Sequence, residues 1–230
     1  MTPTQDHASD GAASQRVQVG TTAQHALESL RRMIVAGELR PAGRVRQEEI
    51  AEMLGMSIAP VREALRALEQ EGQVSYVARR GYFVTELRLS DLEEIYELRQ
   101  LLEARAARGA LPTLDEDALE RMELAAKDCV DAAEAGDVAA ELEANRRFHF
   151  AVLDSPDQPH VMRVIRLLWD STESYRALYY NAEQSRIEAA DAHKRILAAV
   201  RKGDADKLVA ELDAHRGRAL EMLRGILAVD

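Results

Sequence analysis

Between Gln47 and Gly81 the chain sets down a short apolar helical pattern, a break at Gly55, a second helical pattern rich in Arg and Leu, and two short alternating runs joined by Ala78-Arg79-Arg80-Gly81. Few architectures accommodate that order. Two short helices across a sharp turn, followed by a glycine-bounded hairpin, describe a winged helix-turn-helix, in which the second helix enters the major groove of DNA.

The flanking residues extend the same unit. From Thr21 to Ala36 the apolar positions Ala26, Leu30, Met33 and Ile34 recur at helical spacing, and Gly37 ends the pattern. Pro41-Ala42-Gly43 forces a turn before a helix expected over Gln47–Leu54. Ser57 is the expected N-cap of the next helix, with Pro60 in its first turn, Val61, Leu65 and Leu68 on its buried face, and Gly72 as its stop. Val74–Val77 and Tyr82–Thr85 read as the hairpin strands. Residues 1–20 lack sustained apolar periodicity and are expected to form a disordered tail, so the winged unit is bounded at 21–88.

Beyond Glu86 the pattern is helical throughout. Ser90 is the expected cap of a long helix with a Leu92, Ile95, Leu98, Leu102 stripe, and breaks near Leu111-Pro112, Gly136, Ser155-Pro156, Asn181 and Gly203 divide residues 89–230 into about six helices. The expected fold class is mainly α, with an N-terminal winged helix-turn-helix and a C-terminal antiparallel all-α bundle.

Charge follows the same division. The net charge is -10, yet residues 21–88 carry 10 basic and 9 acidic side chains, against 19 and 29 in residues 89–230. A near-neutral first unit can still turn a basic face to phosphate. The single cysteine, Cys129, excludes an internal disulfide and suits a reducing compartment, so cytoplasm is the expected location. No apolar run approaches the ~18 residues that span a bilayer, and the first residues lack the order of a secretion signal.

Arg62 and Arg66 project from the inserted helix, which opens with Ser57, Ile58 and Ala59; a guanidinium there bridges guanine acceptors or clamps phosphate. Arg79, Arg80 and Gly81 form the hairpin tip, placed to reach a flanking groove or backbone, and Arg44 and Arg46 add phosphate contacts before the first short helix. The competing reading is a solvated face in which these arginines pair with Glu63, Glu69 and Glu71.

The runs Pro41-Ala-Gly-Arg-Val-Arg-Gln-Glu-Glu-Ile-Ala-Glu-Met-Leu-Gly-Met-Ser57, Pro60-Val-Arg-Glu-Ala-Leu-Arg-Ala-Leu-Glu69 and Arg79-Arg-Gly-Tyr-Phe-Val84 resemble the N-terminal domain of GntR-family transcriptional regulators. The resemblance implies a dimer on a near-palindromic double-stranded operator, most often repressing until an effector binds. It departs at Ile58-Ala59, where the family commonly has Arg-Thr. That removes a usual base reader, and the aliphatic Ile58 suits a thymine methyl instead.

In the second half, Asn145 and His149 stand four apart on one helix face, while His193 and His215 lie on later helices. A bundle that brings these helices together converges an amide oxygen and three imidazoles on a divalent metal; partly buried hydrogen-bonding histidines are the alternative. His160 follows Pro159 at a helix start and reads as surface. The order Arg99-Gln-Leu-Leu-Glu103, Phe148-His149, His193 and His215 over residues 89–227 resembles the FCD ligand-binding domain of the FadR subfamily. That resemblance implies a metal, Zn or Ni first among candidates, on Asn145, His149, His193 and His215, and a small organic acid completing its shell. The neutral Asn145 leaves such a site more positive and favours an anion. Arg99 is the expected second anchor for the acid, with Tyr175, Arg176 and Tyr179 lining the cavity; Arg99 as a surface partner of Glu103, and Tyr175 and Tyr179 as core, are the alternatives. Trp169 reads as packing. Two other readings stand beside this one: a metal-free regulator of a larger acyl ligand, and a helical metalloenzyme. The second is disfavoured because no carboxylate adjoins the histidines as a general base.

Overall fold

The computed structural model describes residues 10–227 except 87, 155–156 and 181–182, with the side chains of 10–21 and 183–185 left aside. It divides into two units, Met1–Thr85 and Glu86–Asp230.

The first unit contains helices α1 (Asp10–Val35), α2 (Gln47–Met53) and α3 (Ile58–Gln70) and strands β1 (Arg44–Val45), β2 (Val74–Val77) and β3 (Gly81–Val84). Its core is one cluster built from Ala26, Leu30 and Ile34 of α1, Ile50 of α2, Val61, Leu65 and Leu68 of α3, and Val45, Val74, Tyr82 and Val84 of the sheet. Gly55 turns the chain between α2 and α3 at φ 64, a left-handed conformation that costs a residue with a Cβ about 1 kcal/mol or more. Ser57 occupies the N-cap of α3 as expected, although its side chain makes no capping bond.

Two features of this unit were not foreseen. Helix α1 starts at Asp10, so residues 10–20 of the expected tail are helical, while residues 1–9 lie outside the described residues. The run has no proline, and its Ala, Gln and Arg favour helix even without an apolar stripe. Strand β1 adds to the hairpin, giving the antiparallel order β1-β3-β2 with Arg44 opposite Phe83 and Val45 opposite Tyr82. Two residues are too short for a periodicity signal.

The second unit contains α4 (Leu89–Ala110), a 3-10 turn (Leu111–Thr113), α5 (Glu116–Ala135), α6 (Val138–Leu153), α7 (Pro159–Ser171), α8 (Glu173–Tyr180), α9 (Glu183–Arg201) and α10 (Ala205–Leu227). Helices α5 and α6 pack as a hairpin across Gly136-Asp137: Gly136 ends α5 at φ 71, and the Asp137 carboxylate accepts from the Ala140 N–H at 3.0 Å to start α6. Gly203-Asp204 repeats the device before α10, where Asp204 accepts from the Lys207 N–H at 2.9 Å. The core gathers Phe148, Val152, Met162, Ile165, Trp169, Ile196 and Leu212, all buried.

Seven helices replace the expected six among the described residues, because the chain breaks at Thr172 without Gly or Pro. The Thr172 hydroxyl donates back to the Leu168 and Trp169 carbonyls at 3.1 and 3.3 Å, competing with the helical ladder. Helix α4 starts at Leu89 rather than after Ser90, since the Asp91 carboxylate accepts from the Arg88 N–H at 3.0 Å. Its buried face is also rotated from the expected stripe. Leu92, Tyr96, Arg99 and Glu103 point inward, while Leu98 is 41% exposed.

Candidate functional site

The inward face of α4 carries a charged pair into the second unit, and the site is built around it. Glu103, 1% exposed, accepts from Arg99 Nε at 2.9 Å and from the Trp169 indole N–H at 2.8 Å, and Arg216 of α10 donates to its other oxygen. Burial pushes the Glu103 carboxyl up, but the Arg99 and Arg216 guanidiniums and the two bonds from Arg99 and Trp169 outweigh it and hold it below the usual range. The carboxylate is therefore charged and fully partnered. The Arg99 and Arg176 guanidiniums lie over the Trp169 ring, at 4.3 and 4.4 Å from its centroid.

Arg176 differs from Arg99. It is 5% exposed and donates through Nη2 to the Trp169 carbonyl at 3.2 Å, yet Nε and Nη1 are buried without a partner among the described residues. Burial lowers its pKa. A buried guanidinium with two open N–H directions is a demand for an anion.

Beside it, α6, α9 and α10 bring His149, His193 and His215 together, their ligand atoms within 4.8 Å of one another. Asn145, one turn before His149, places Oδ1 3.1 Å from His193 Nε2. All four are buried, and both nitrogens of His149 and Nδ1 of His193 and His215 lack partners among the described residues. Burial, reinforced by the neighbouring imidazoles and the Arg99 and Arg216 guanidiniums, holds His149 and His215 well below the ordinary histidine range. Burial alone takes His193 to about 3. The rings are neutral, so their lone pairs are available, as metal ligation requires. The donor set fits a divalent transition ion: the 3.1 Å separation matches two neighbouring ligands at roughly 2.1 Å from a common centre.

A cavity of about 30 Å³ opens between these groups, lined by Arg99, Glu103, Asn145, His149, Arg176, Tyr179 and His215 among others. The Tyr96 and Tyr179 hydroxyls beside it are also buried, with no partner among the described residues. Tyr175 is placed elsewhere, in an apolar cluster with Leu92, Tyr96 and Leu223, so the core alternative describes it. His160 is exposed, as expected. Arg216 and Tyr96 also line this cavity, outside the expected set. Arg216 follows His215 directly, and Tyr96 precedes Arg99 by three on one helical face, so both were within reach of a spacing argument.

In the first unit Ser57, Ile58, Ala59, Arg62 and Arg66 are exposed on α3. Arg62 Nε donates to Gln47 at 3.2 Å, and Glu71 pairs with Arg31 instead. Among the described residues neither Arg62 nor Arg66 has a carboxylate partner, which leaves the solvated ion-paired face without support. Arg46 does pair, with Glu49 at 2.5 Å. Arg79 takes φ 66 at the three-residue hairpin tip, Arg80 lies 5.1 Å over the Phe83 ring, and Gly81 adopts φ 94. A Cβ on Gly81 would meet the Arg44 guanidine only at 3.9 Å, an ordinary contact, so the positive φ rather than space favours glycine here.

Comparison with known proteins agrees with both halves. Residues 22–84 match the family described as bacterial regulatory proteins, gntR family, and residues 94–218 match the FCD domain. The Nta operon transcriptional regulator of Aminobacter aminovorans is 32% identical, covering 84% of this chain and 92% of its own length. A probable D-xylose utilization operon transcriptional repressor of Paenarthrobacter nicotinovorans is 28% identical over 89% of each chain. The solved structure of E. coli McbR/YncC superposes with a TM-score of 0.77 at 26% identity, covering 89% of this chain and 97% of that one. These families and relatives are regulators rather than enzymes, which sets aside the metalloenzyme reading, and no described helix is long and apolar enough to cross a membrane. The chain belongs to the gntR family of bacterial regulatory proteins: it is a DNA-binding transcriptional regulator with an FCD effector-binding domain.

Proposed function

We propose that the protein is a homodimeric repressor whose operator affinity falls when a small carboxylate binds at a divalent metal, zinc or nickel, held by Asn145, His149, His193 and His215. The observation that carries this reading is the convergence of three neutral imidazoles, each with at least one open nitrogen among the described residues, and an amide beside the open N–H groups of Arg176. Bound there, the ion supplies open coordination positions to an acid's carboxylate. Arg176 anchors the acid, a role the sequence had assigned to Arg99; Arg99 is committed to Glu103 and keeps that carboxylate ionised. Tyr179 offers its hydroxyl to the same anion. The cavity of about 30 Å³ suits an ion with one or two small ligands and disfavours a long acyl chain.

On the DNA side, α3 enters the major groove with Arg62 and Arg66, while Arg79, Arg80 and Arg44 meet the flanking backbone. A second copy fits the exposed Leu98 and Leu101 on the outer face of α4, and closed two-fold symmetry matches a palindromic operator. The effector shifts the population of arrangements of the paired DNA domains. Repression is supported by the repressor named among the relatives.

Native mass spectrometry and elemental analysis test the centre. A dimer carrying one metal per chain is expected, and His149→Ala with His193→Ala strips it. Metal content unchanged in that variant rejects the site. Operator binding by fluorescence anisotropy tests the other half: Arg62→Ala loses affinity without loss of folding, and full affinity at physiological salt rejects the assignment.

A further inference from the structure

A second cavity, of about 410 Å³, lies between α5, α6, α8 and α9. Its volume is in the range that holds a small organic molecule, roughly 300–1,000 Å³. The exposed Val130, Glu134 and Ile187 stand at its mouth, and the buried Cys129, Glu141, Tyr180 and His193 form its floor. It adjoins the metal cavity: Tyr180 lines both, and His193 of the proposed ligand set stands in the second cavity's wall.

Glu141 is the group that needs explaining. It is 2% exposed, and its Oε2 is buried with no hydrogen-bond partner among the described residues. Arg186, the guanidinium on the described lining, forms no ion pair with it and donates to the Ala133 carbonyl at 3.3 Å. Two carboxylates, Glu134 and Glu141, face one guanidinium in this cavity, so its balance is negative. Val130, Ala133, Ile187, Ala189 and Ala190 supply an aliphatic wall beside Cys129, Tyr180 and His193.

We propose that this cavity is a second ligand site that takes an organic cation, with its ammonium on the Glu141 carboxylate and its aliphatic body against Val130, Ala133, Ile187 and Ala190. Burial pushes the Glu141 carboxyl up to about 7, Arg186 opposing. A neutral ligand leaves that cost in place. An ammonium removes it by a charge-assisted bond to the open oxygen. An anion meets both carboxylates unfavourably.

Isothermal titration calorimetry of the full chain with hexylammonium, hexanol and hexanoate tests the site. One equivalent of hexylammonium per chain is expected, binding about tenfold or more tightly than hexanol, with hexanoate weakest. Glu141→Gln brings hexylammonium to the level of hexanol. Ile187→Lys, a change at the exposed mouth that leaves the core untouched, weakens hexylammonium by about tenfold. His149→Ala, which alters the metal centre, leaves the preference in place, so failure of the metal reading and failure of this one are separable. Absence of saturable binding, equal binding of the three probes, or a preference that persists in Glu141→Gln overturns the proposal.

Discussion

Replacing Glu103 with Ala is the most demanding perturbation of the second unit. The wild-type carboxylate is 1% exposed and accepts from Arg99, Trp169 and Arg216, whose guanidine-bearing side chains are each 6% exposed. Removal leaves Arg99 with ring contacts alone among the described residues, and Arg216 with the half-open Asp213. Breaking a buried pair from one side costs about 3–5 kcal/mol, because the surviving charge is uncompensated. Trp169 is the chain's one tryptophan and bonds Glu103 directly, so its fluorescence reports urea unfolding of this unit. A loss of about 3–5 kcal/mol is expected. The double variant Glu103→Ala, Arg99→Leu recovers part of it, since one buried charge leaves with its partner. A loss below about 1 kcal/mol, or a double variant worse than the sum of the singles, refutes the reasoning. The pH dependence has the matching sign. The folded-state pKa of Glu103 is lowered, so its contribution is present above the unfolded carboxyl value and is lost as pH falls through the folded one.

Glu141 gives the opposite trend: its folded pKa is raised from 4.5 to about 7, so wild-type stability falls as pH rises across that interval. Glu141→Gln is expected to gain about 3 kcal/mol relative to wild type between pH 4 and pH 8 in urea titrations, and a pH-independent difference counts against it. Thr172→Val loses both back-bonds of the α7–α8 break, expected at about 1–2 kcal/mol by the same fluorescence assay; no change removes the hydroxyl from the account. Arg66→Ala weakens operator binding and reduces the slope of log affinity against log salt by about one if it contacts phosphate; an unchanged slope with lost sequence preference assigns it to a base edge instead. Leu68→Ala, a fully buried α3 position, costs the first unit about 2–5 kcal/mol by thermal unfolding, and a cost below 1 means that the helix relaxes into the gap.

The winged unit was legible because each boundary carries a local signal: Gly55, Pro60, Gly72 and Gly81 mark their turns through backbone geometry that only certain residues tolerate. The histidine centre was legible from Asn145 and His149 on one face, while His193 and His215 needed the packing of α9 and α10 to be placed. The Thr172 break was hidden because a threonine hydroxyl bonding backward looks like any mid-helix threonine in sequence. The inward turn of Arg99 and Glu103 was hidden for another reason. A charge pair at i and i+4 reads as surface until Arg216, more than a hundred residues later, is seen to complete it. Arg176 stood in the lining set, but its open N–H groups follow only from the tertiary arrangement.

The first unit closes its own apolar cluster with residues from Ala26 to Val84, and the clusters of the second unit begin at Leu92. Each of these clusters is drawn from residues of one unit. A lineage can therefore exchange the sensor while keeping the reader, or the reverse, with a single recombination at the Thr85–Glu86 joint and no repacking of either interior. New inputs can be coupled to an old operator by splicing rather than by gradual substitution.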